Sequence, residues 1–209
     1  MRINMYPVGE IEELCYLAID ENTNEAVLVD PGTEAKRLLK AIDDEGVSLK
    51  AILITHGHYD HIGGVMEIRK ATGAKVIAHV EGKNYLPNPA YNLSGYRPVS
   101  TIQFDADEYV EEGELHINDG ELQFEVIHIP GHTSDGVAFY SANAKVIFVG
   151  DILFKNGVGR SDLPGGNHIS LIEGIKHKLL SLPDDVAVLP GHGPTTSIGL
   201  EKRTNMYLR

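Results

Sequence analysis

At 209 residues the chain suits one ordinary domain, and its formal net charge of −12 argues against nucleic acid or an anionic membrane, partners that require basic surface. Hydrophobic residues make up 42% and charged ones 23%, the composition of a folded chain and not of a disordered one. The single cysteine, Cys15, excludes an intramolecular disulfide; Met1 to Gly9 lacks a signal-peptide core and no run reaches the roughly 18 apolar residues of a membrane span, so a soluble, cytoplasmic protein is expected.

Taken in chain order, short apolar runs alternate with helical patterns. Cys15 lies between Leu14 and Tyr16 in an apolar segment and reads as a core thiol. Ala26–Val29 is a strand that ends at Asp30-Pro31-Gly32. A helix follows, with Thr33 as its N-cap, Leu38, Leu39 and Ile42 on one face and Gly46 closing it. Ala51–Ile54 is the next strand, and Ile62–Thr72 reads as a helix presenting Ile62, Val65, Met66 and Arg69 on one face before Gly73. Lys75–Ala78, Phe124–Ile129, Gly136–Tyr140 and Lys145–Val149 are further strands. Leu171, Ile172, Ile175 and Leu179 mark a late helix that stops before Pro183, Val186–Leu189 is the last clear strand, and a short helix covers Ile198–Asn205. The mixture predicts sheets covered by helices in one domain, residues 1–209. Between Lys83 and Tyr109 the pattern fails: the segment holds Pro87, Pro89, Pro98 and five aromatic residues, Tyr85, Tyr91, Tyr96, Phe104 and Tyr109. It reads as a lid or binding loop, or as a loop pinned down by its own aromatics.

The most informative stretch is His56-Gly57-His58-Tyr59-Asp60-His61, four potential metal ligands in one turn of chain. A local pattern repeats around it. Ala51–Ile54 runs into His56 and His58, Val126–Ile129 into Pro130-Gly131-His132, and Val186–Leu189 into Pro190-Gly191-His192, while Val146–Val149 runs into Gly150-Asp151. Each candidate ligand thus sits just past a buried strand, beside a glycine that lets the backbone approach a metal closely. If those strands lie side by side, their ends converge on one rim. Imidazole and carboxylate donors without thiolate suit zinc, iron or manganese in a catalytic role. Five histidines and two aspartates exceed what one tetrahedral ion can use, so two divalent ions are expected, with zinc the first choice. His56, His58 and His132 would hold the first; Asp60, His61 and His192 the second; Asp151 would bridge them. Such a pair activates a shared water at neutral pH. His79, His116, His128, His168 and His177 read as structural or solvent-facing, with a role in supporting a ligand left open for His128, close to His132.

With these residues in place, the chain resembles the metallo-β-lactamase superfamily, whose His-x-His-x-Asp-His signature stands here at 56–61. The resemblance implies an αββα sandwich with the site at one sheet edge. Within the superfamily it is similar to short, single-domain hydroxyacylglutathione hydrolase (glyoxalase II)-like proteins, through Leu28–Gly32, Pro130–Thr133, Gly150–Phe154, Gly159–Gly166 and Pro190–Pro194. Zinc β-lactamases are usually exported and many place cysteine in the second site. Flavodiiron proteins place glutamate where this chain has His58, and the nucleases carry an inserted domain or a basic surface. Full-length glyoxalase II has a helical C-terminal domain that contacts glutathione, whereas this sequence ends soon after His192; Pro194 stands where the larger enzymes usually have tyrosine. Arg160 matches a lysine that holds a glutathione carboxylate in those enzymes, and a guanidinium can do so bidentately.

The resemblance implies hydrolysis of a small acyl thioester, such as a 2-hydroxyacyl-glutathione-like substrate, by a metal-bridging hydroxide, with Asp60 both ligating and orienting the nucleophile. The rival readings are a mononuclear iron persulfide dioxygenase and a non-catalytic metal-binding protein. The partner expected is a small-molecule thioester, with no nucleic acid and no membrane; the thiol carrier, the acyl group and the oligomeric state are not legible.

Overall fold

A computed structural model describes residues 1–96 and 100–209; Pro98 of the irregular segment lies outside them. Six strands form the first sheet in sequence order: β1 (Arg2–Val8), β2 (Glu13–Asp20), β3 (Glu25–Val29), β4 (Ser48–Leu53), β5 (Lys75–His79) and β6 (Glu108–Val110). β1 to β3 pair antiparallel, whereas β3 to β6 pair parallel, the arrangement that buries both faces of a strand. The second sheet is built from β7 (Gly113–His116), β8 (Gln123–His128), β9 (Val137–Ser141), β10 (Val146–Gly150), β13 (Ala187–Pro190) and β14 (Thr196–Ser197), in the order β14-β13-β10-β9-β8-β7. The small hairpin β11 (Leu153–Phe154) and β12 (Gly157–Val158) stands apart from both sheets.

The period of two in each strand distributes side chains between two apolar layers. In β2, Leu14, Tyr16 and Ala18 point into the space between the sheets, against Phe124, Phe139 and Phe148. Cys15, Leu17 and Ile19 point the other way, under the helices α1 (Ala35–Glu45) and α3 (Val65–Thr72), where they meet Leu38, Ile42, Val65 and Ile68. On the far side, Ile127, Ile147, Val149 and Val188 pack beneath α4 (His168–Gly174) and the π-helical turn Ile175–Leu179 that extends it. Leu171, Ile175 and Leu179 supply that contact at intervals of four. The result is helix, sheet, sheet, helix, as the resemblance implied. Among the described residues no helix is long and apolar enough to cross a membrane.

Two local expectations fail for identifiable reasons. Thr33 does not cap α1: the residue before the helix is Glu34, in the left-handed region at φ 52°, and it makes no side-chain cap. The predicted helix Ile62–Thr72 is two pieces, α2 (Tyr59–Ile62) and α3, broken at Gly63-Gly64. The N–H of Gly64 bonds the Pro31 carbonyl at 2.8 Å, so the chain after β3 is wedged against the helix and interrupts it. The break rotates the buried face: Val65 and Ile68 are buried, while Met66 is exposed and Arg69 pairs with Asp107.

The described part of the irregular segment is held by buried contacts. Tyr85 and Leu86 are fully buried and Phe104 nearly so, while Tyr91 and Tyr96 are exposed. Buried Asn92 donates to the carbonyls of Leu86 and Ile102 at 3.4 and 2.9 Å, and its own carbonyl accepts from the N–H of Tyr59 at 2.8 Å. Phe148, fully buried between the sheets and in ring contact with Tyr16 and Phe124, is the centre of the inner layer. Phe148→Ala should cost about 3–5 kcal/mol in denaturant unfolding.

Candidate metal centre

The expected rim exists, and both sheets contribute to it. His56 and His58 follow β4 of the first sheet, and Asp60 and His61 lie in α2 immediately beyond. His132 follows β8, Asp151 follows β10 and His192 follows β13, all of the second sheet. Hydrogen bonds close the seam between the sheets at this level: Leu14 N–H to Gly191 O and Val137 N–H to Thr55 O, both 2.8 Å, and Tyr16 O–H to Pro190 O at 2.7 Å. Gly191 sits so close to the centre that a Cβ there would lie 2.4 Å from Asp151 Oδ1 and 2.6 Å from His61 Cε1. Glycine at 191 is a steric requirement of the rim.

The seven candidate residues form two triads with a carboxylate between them. Nδ1 of His58 lies 3.1 Å from His56 Nε2 and 3.0 Å from His132 Nε2. Asp60 Oδ2 lies 3.2 Å from His192 Nε2 and 3.6 Å from His61 Nε2. Asp151 reaches both groups: Oδ1 is 3.5 Å from His61 Nε2, and Oδ2 is 3.7 Å from His132 Nε2 and 3.9 Å from His192 Nε2.

Hydrogen bonds on the outer side of the rings decide which nitrogen faces inward. His132 donates from Nδ1 to the Arg160 carbonyl at 2.8 Å, His192 to the Ile11 carbonyl at 3.2 Å, and His61 to Asp30 Oδ2 at 3.0 Å. The Thr55 hydroxyl donates to Asp30 Oδ2 at 2.5 Å, which leaves its oxygen to accept from His56 Nδ1 at 3.2 Å. All four rings therefore turn Nε2 toward the centre. His58 differs by presenting Nδ1.

A metal fits these donors on three grounds. Several inward lone pairs within about 3 Å of one another cannot satisfy each other by hydrogen bonding. His61 Nε2 and Asp151 Oδ1 are buried without a hydrogen-bond partner among the described residues. The charge balance also differs between the two triads. In the first triad, burial and then the neighbouring imidazoles hold His56 well below its usual pKa and His58 at about 3, so both are neutral donors. His132 is lowered too, chiefly by burial. In the second, burial acts downward on His61 and His192, but Asp60 and Asp151 outweigh it and raise both. That half of the centre calls for positive charge, which a divalent ion supplies.

Several supporting residues carried no clear signal in the sequence. Asp30, beyond β3, lies within one ion's reach of His56 and His61. Its oxygens are already engaged by the Thr55 N–H and hydroxyl and by His61, so it buttresses two ligands and is not one itself. An acid just past a buried strand is the same signal that marked Asp151. Glu13 is buried 3.7 Å from His61 Nδ1, neither oxygen has a hydrogen-bond partner among the described residues, and burial pushes its pKa well up. Tyr85 accepts from the Ser134 N–H at 3.0 Å and donates to the Pro164 carbonyl at 3.1 Å, which ties the His132 loop to the loop after Arg160. The Arg160 guanidinium is exposed and grips Asp162 through two bonds of 2.7 Å. Among the described residues, His128 makes no direct hydrogen bond to a candidate ligand. Its ring stacks on His79 with centroids 3.9 Å apart, and its Nε2 donates to the Ser134 carbonyl at 2.9 Å. His116 pairs with Glu114 at the surface, and His168 and His177 are exposed.

Asp135 joins the two loops of the first triad, accepting the Gly57 N–H at 2.9 Å from a buried position. Burial lifts its carboxyl to about 7, against the lowering influence of Thr133 and of the Gly57 N–H. The native state therefore keeps a proton that the unfolded chain releases near pH 4, and stability falls as pH rises from about 4 to 7. Asp135→Asn keeps an acceptor for Gly57 and removes the titration. In urea melts of metal-free protein, the variant should gain stability over the parent across that window, by a few kcal/mol in all, and the gap should level off above about pH 7.

The model of the metallo-beta-lactamase superfamily matches residues 9–192. The chain is 37% identical to a hydroxyacylglutathione hydrolase, GloC, of Haemophilus influenzae, an alignment that takes in 100% of this chain and 98% of that one. Among solved structures it is similar to BLEG-1, described as a B3 metallo-beta-lactamase, with 36% identity, coverage of 99% of each chain and a TM-score of 0.93. It is also similar to TTHA1623 in a di-iron-bound form, with 35% identity, coverage of 98% of this chain and 100% of that one, and a TM-score of 0.87. With the family match running through both sheets and the whole rim, this chain belongs to the metallo-β-lactamase superfamily.

Proposed function

We propose that this protein is a metal-dependent hydrolase that cleaves a small acyl thioester at a two-metal centre, residues 1–209 working as one domain. The observation that carries the reading is the pair of donor triads with Asp151 between them. Similarity to GloC, named as a hydroxyacylglutathione hydrolase, supports the ester class. His56, His58 and His132 hold one ion, Asp60, His61 and His192 the other, and Asp151 touches both. Zinc is the expected metal; iron and manganese suit the same donors, and TTHA1623 is described with two irons. Divalent ions bound there supply Lewis acidity, which lowers the pKa of water from 15.7 towards about 7 and draws charge from an ester carbonyl.

The protein's own part is orientation and proton control. Asp60 directs a carboxylate oxygen into the centre and orients the attacking water. Asp30 holds the rings of His56 and His61 through Thr55 and a direct bond, so both keep Nε2 turned inward. A thiolate departs without prior protonation, so the site has no need of an acid at the leaving group. Arg160 takes a carboxylate of the thiol carrier. Its present partner, Asp162, is exposed, and an exposed pair of this kind is exchanged at little cost.

Asp60→Ala should abolish turnover and lower the bound metal per chain; a variant with full activity and two metals would sink the assignment. Arg160→Ala should leave kcat nearly unchanged and raise KM for carboxylate-bearing thioesters on the order of tenfold. The assay that decides the chemistry is a panel of glutathione, coenzyme A and simpler thiol esters on protein of measured metal content. A β-lactam belongs in it because of the similarity to BLEG-1. Oxygen uptake with glutathione persulfide completes it: two metals without oxygen consumption agree with the hydrolase, and one iron with uptake overturns it.

A further inference from the structure

A cavity of about 520 Å³ opens beside the second triad, within the roughly 300–1,000 Å³ range of small-molecule sites. Two of its lining residues also belong to the metal rim: Asp60, and Ile11, whose carbonyl accepts from His192 Nδ1. One wall is the β1–β2 turn, with Val8 and the half-exposed Ile11. The other is formed by Tyr59, Ser100 and Ile102, and the floor is the chain at Gly32 and Gly63. The charged residues lining it, Glu10 and Asp60, are both acidic. A carboxylate is therefore repelled from it, whereas an uncharged, carbon-rich group finds apolar walls. Arg160 stands on the other flank of the centre, its carbonyl bonded to His132. The two flanks thus differ in chemistry. One presents a guanidinium, paired with the exposed Asp162, and the other a cavity with apolar residues in its lining.

We propose that this cavity is the acyl pocket and that the preferred substrate carries a neutral, mainly apolar acyl chain several carbons long. The inference rests on the thioesterase reading, and it orients the substrate. The carbonyl lies at the metals, the thiol carrier extends past His132 toward Arg160, and the acyl chain passes Asp60 into the cavity. A short hydroxyacyl group such as lactoyl occupies only a small part of this volume. Its hydroxyl also meets the side chains of Val8, Ile11 and Ile102 along the walls, where apolar carbon is the better fit.

The test uses metal-loaded protein and acetyl, butyryl, hexanoyl and octanoyl esters of one thiol. The ratio kcat/KM should rise by about fourfold for each methylene that the pocket buries. The Kd of the matching non-hydrolysable thioethers, measured by calorimetry, should fall in parallel. Ser100→Phe, which fills the cavity from an exposed position, and Ile102→Ala, which removes wall carbon, should both reduce the octanoyl-to-acetyl ratio. Hydrolysis of all four esters at similar efficiency, or a chain-length effect indifferent to both variants, overturns the pocket and leaves the thioesterase reading standing. No turnover of any thioester overturns that reading and the pocket together.

Discussion

Positive charge is what the buried rim of this protein lacks, and the placement of its other groups follows from that need. Asp30, Asp60 and Asp151 crowd around His61, a fully buried imidazole, with Glu13 behind it. Carboxylates removed from water are costly unless a cation or a set of donors meets them. Asp30 is met by the Thr55 N–H and hydroxyl and by His61. Glu13 receives no donor among the described residues, and burial pushes its pKa well up. Asp60 and Asp151 remain, and the side chains that face them among the described residues are histidines. The pKa pattern records the strain: His61 and His192 are drawn upward while His56, His58 and His132 are driven downward. The proposed pair of cations would meet both halves, with neutral nitrogens on one side and anionic oxygens on the other.

Such a cluster persists only if its supports are stiff, and the sandwich supplies the stiffness. The ligands come from the ends of strands in two different sheets, so any sliding of one sheet over the other would open the centre. Phe124, Phe139 and Phe148 fill the space between the sheets, and close packing of this kind resists sliding. At the rim the same constraint is met by hydrogen bonds from Leu14 to Gly191, Val137 to Thr55, Tyr16 to Pro190 and Gly57 to Asp135. These bonds lie within two residues of a candidate ligand in most cases. Fold and site are therefore coupled by short covalent paths, and the inner apolar layer has a functional consequence although none of its side chains faces the metals.

The candidate ligands could be singled out in the sequence because His132, Asp151 and His192 repeat one local rule, an apolar run followed by glycine and a donor residue, because His56 to His61 form a dense cluster just past another such run, and because strands in a sheet carry their ends to a common edge. The outer helices were legible in outline for the same reason: Leu38 and Ile42, or Leu171 and Ile175, express a period that packing demands. What failed depended on partners distant in sequence. At the break after Ile62, Gly64 bonds the chain at Pro31, and the left-handed Glu34 that stands before α1 in place of Thr33 accepts from the N–H of Gly9, 25 positions away. Asp135 and Tyr85 could not be assigned a role, because their importance lies in joining loops that are separated by some 50 to 80 positions. Arg160 was singled out by resemblance, yet its pairing with Asp162 depends on side-chain geometry that no spacing rule contains.

The two flanks of the centre extend the same electrostatic division outward. The neutral triad borders the segment that presents Arg160, and the carboxylate-bearing triad borders a cavity whose own charged lining is acidic. An anionic group approaching the second flank meets Glu10 before it meets a metal, while one approaching the first flank meets a guanidinium. Water activation alone would require neither feature. On the thioesterase reading proposed above, an asymmetric ester would have to be held in one direction, and a carbonyl-binding centre could not by itself distinguish the acyl side from the thiol side. In that reading the rim would account for how a bond is broken, and the difference between its flanks for which end of the substrate is which.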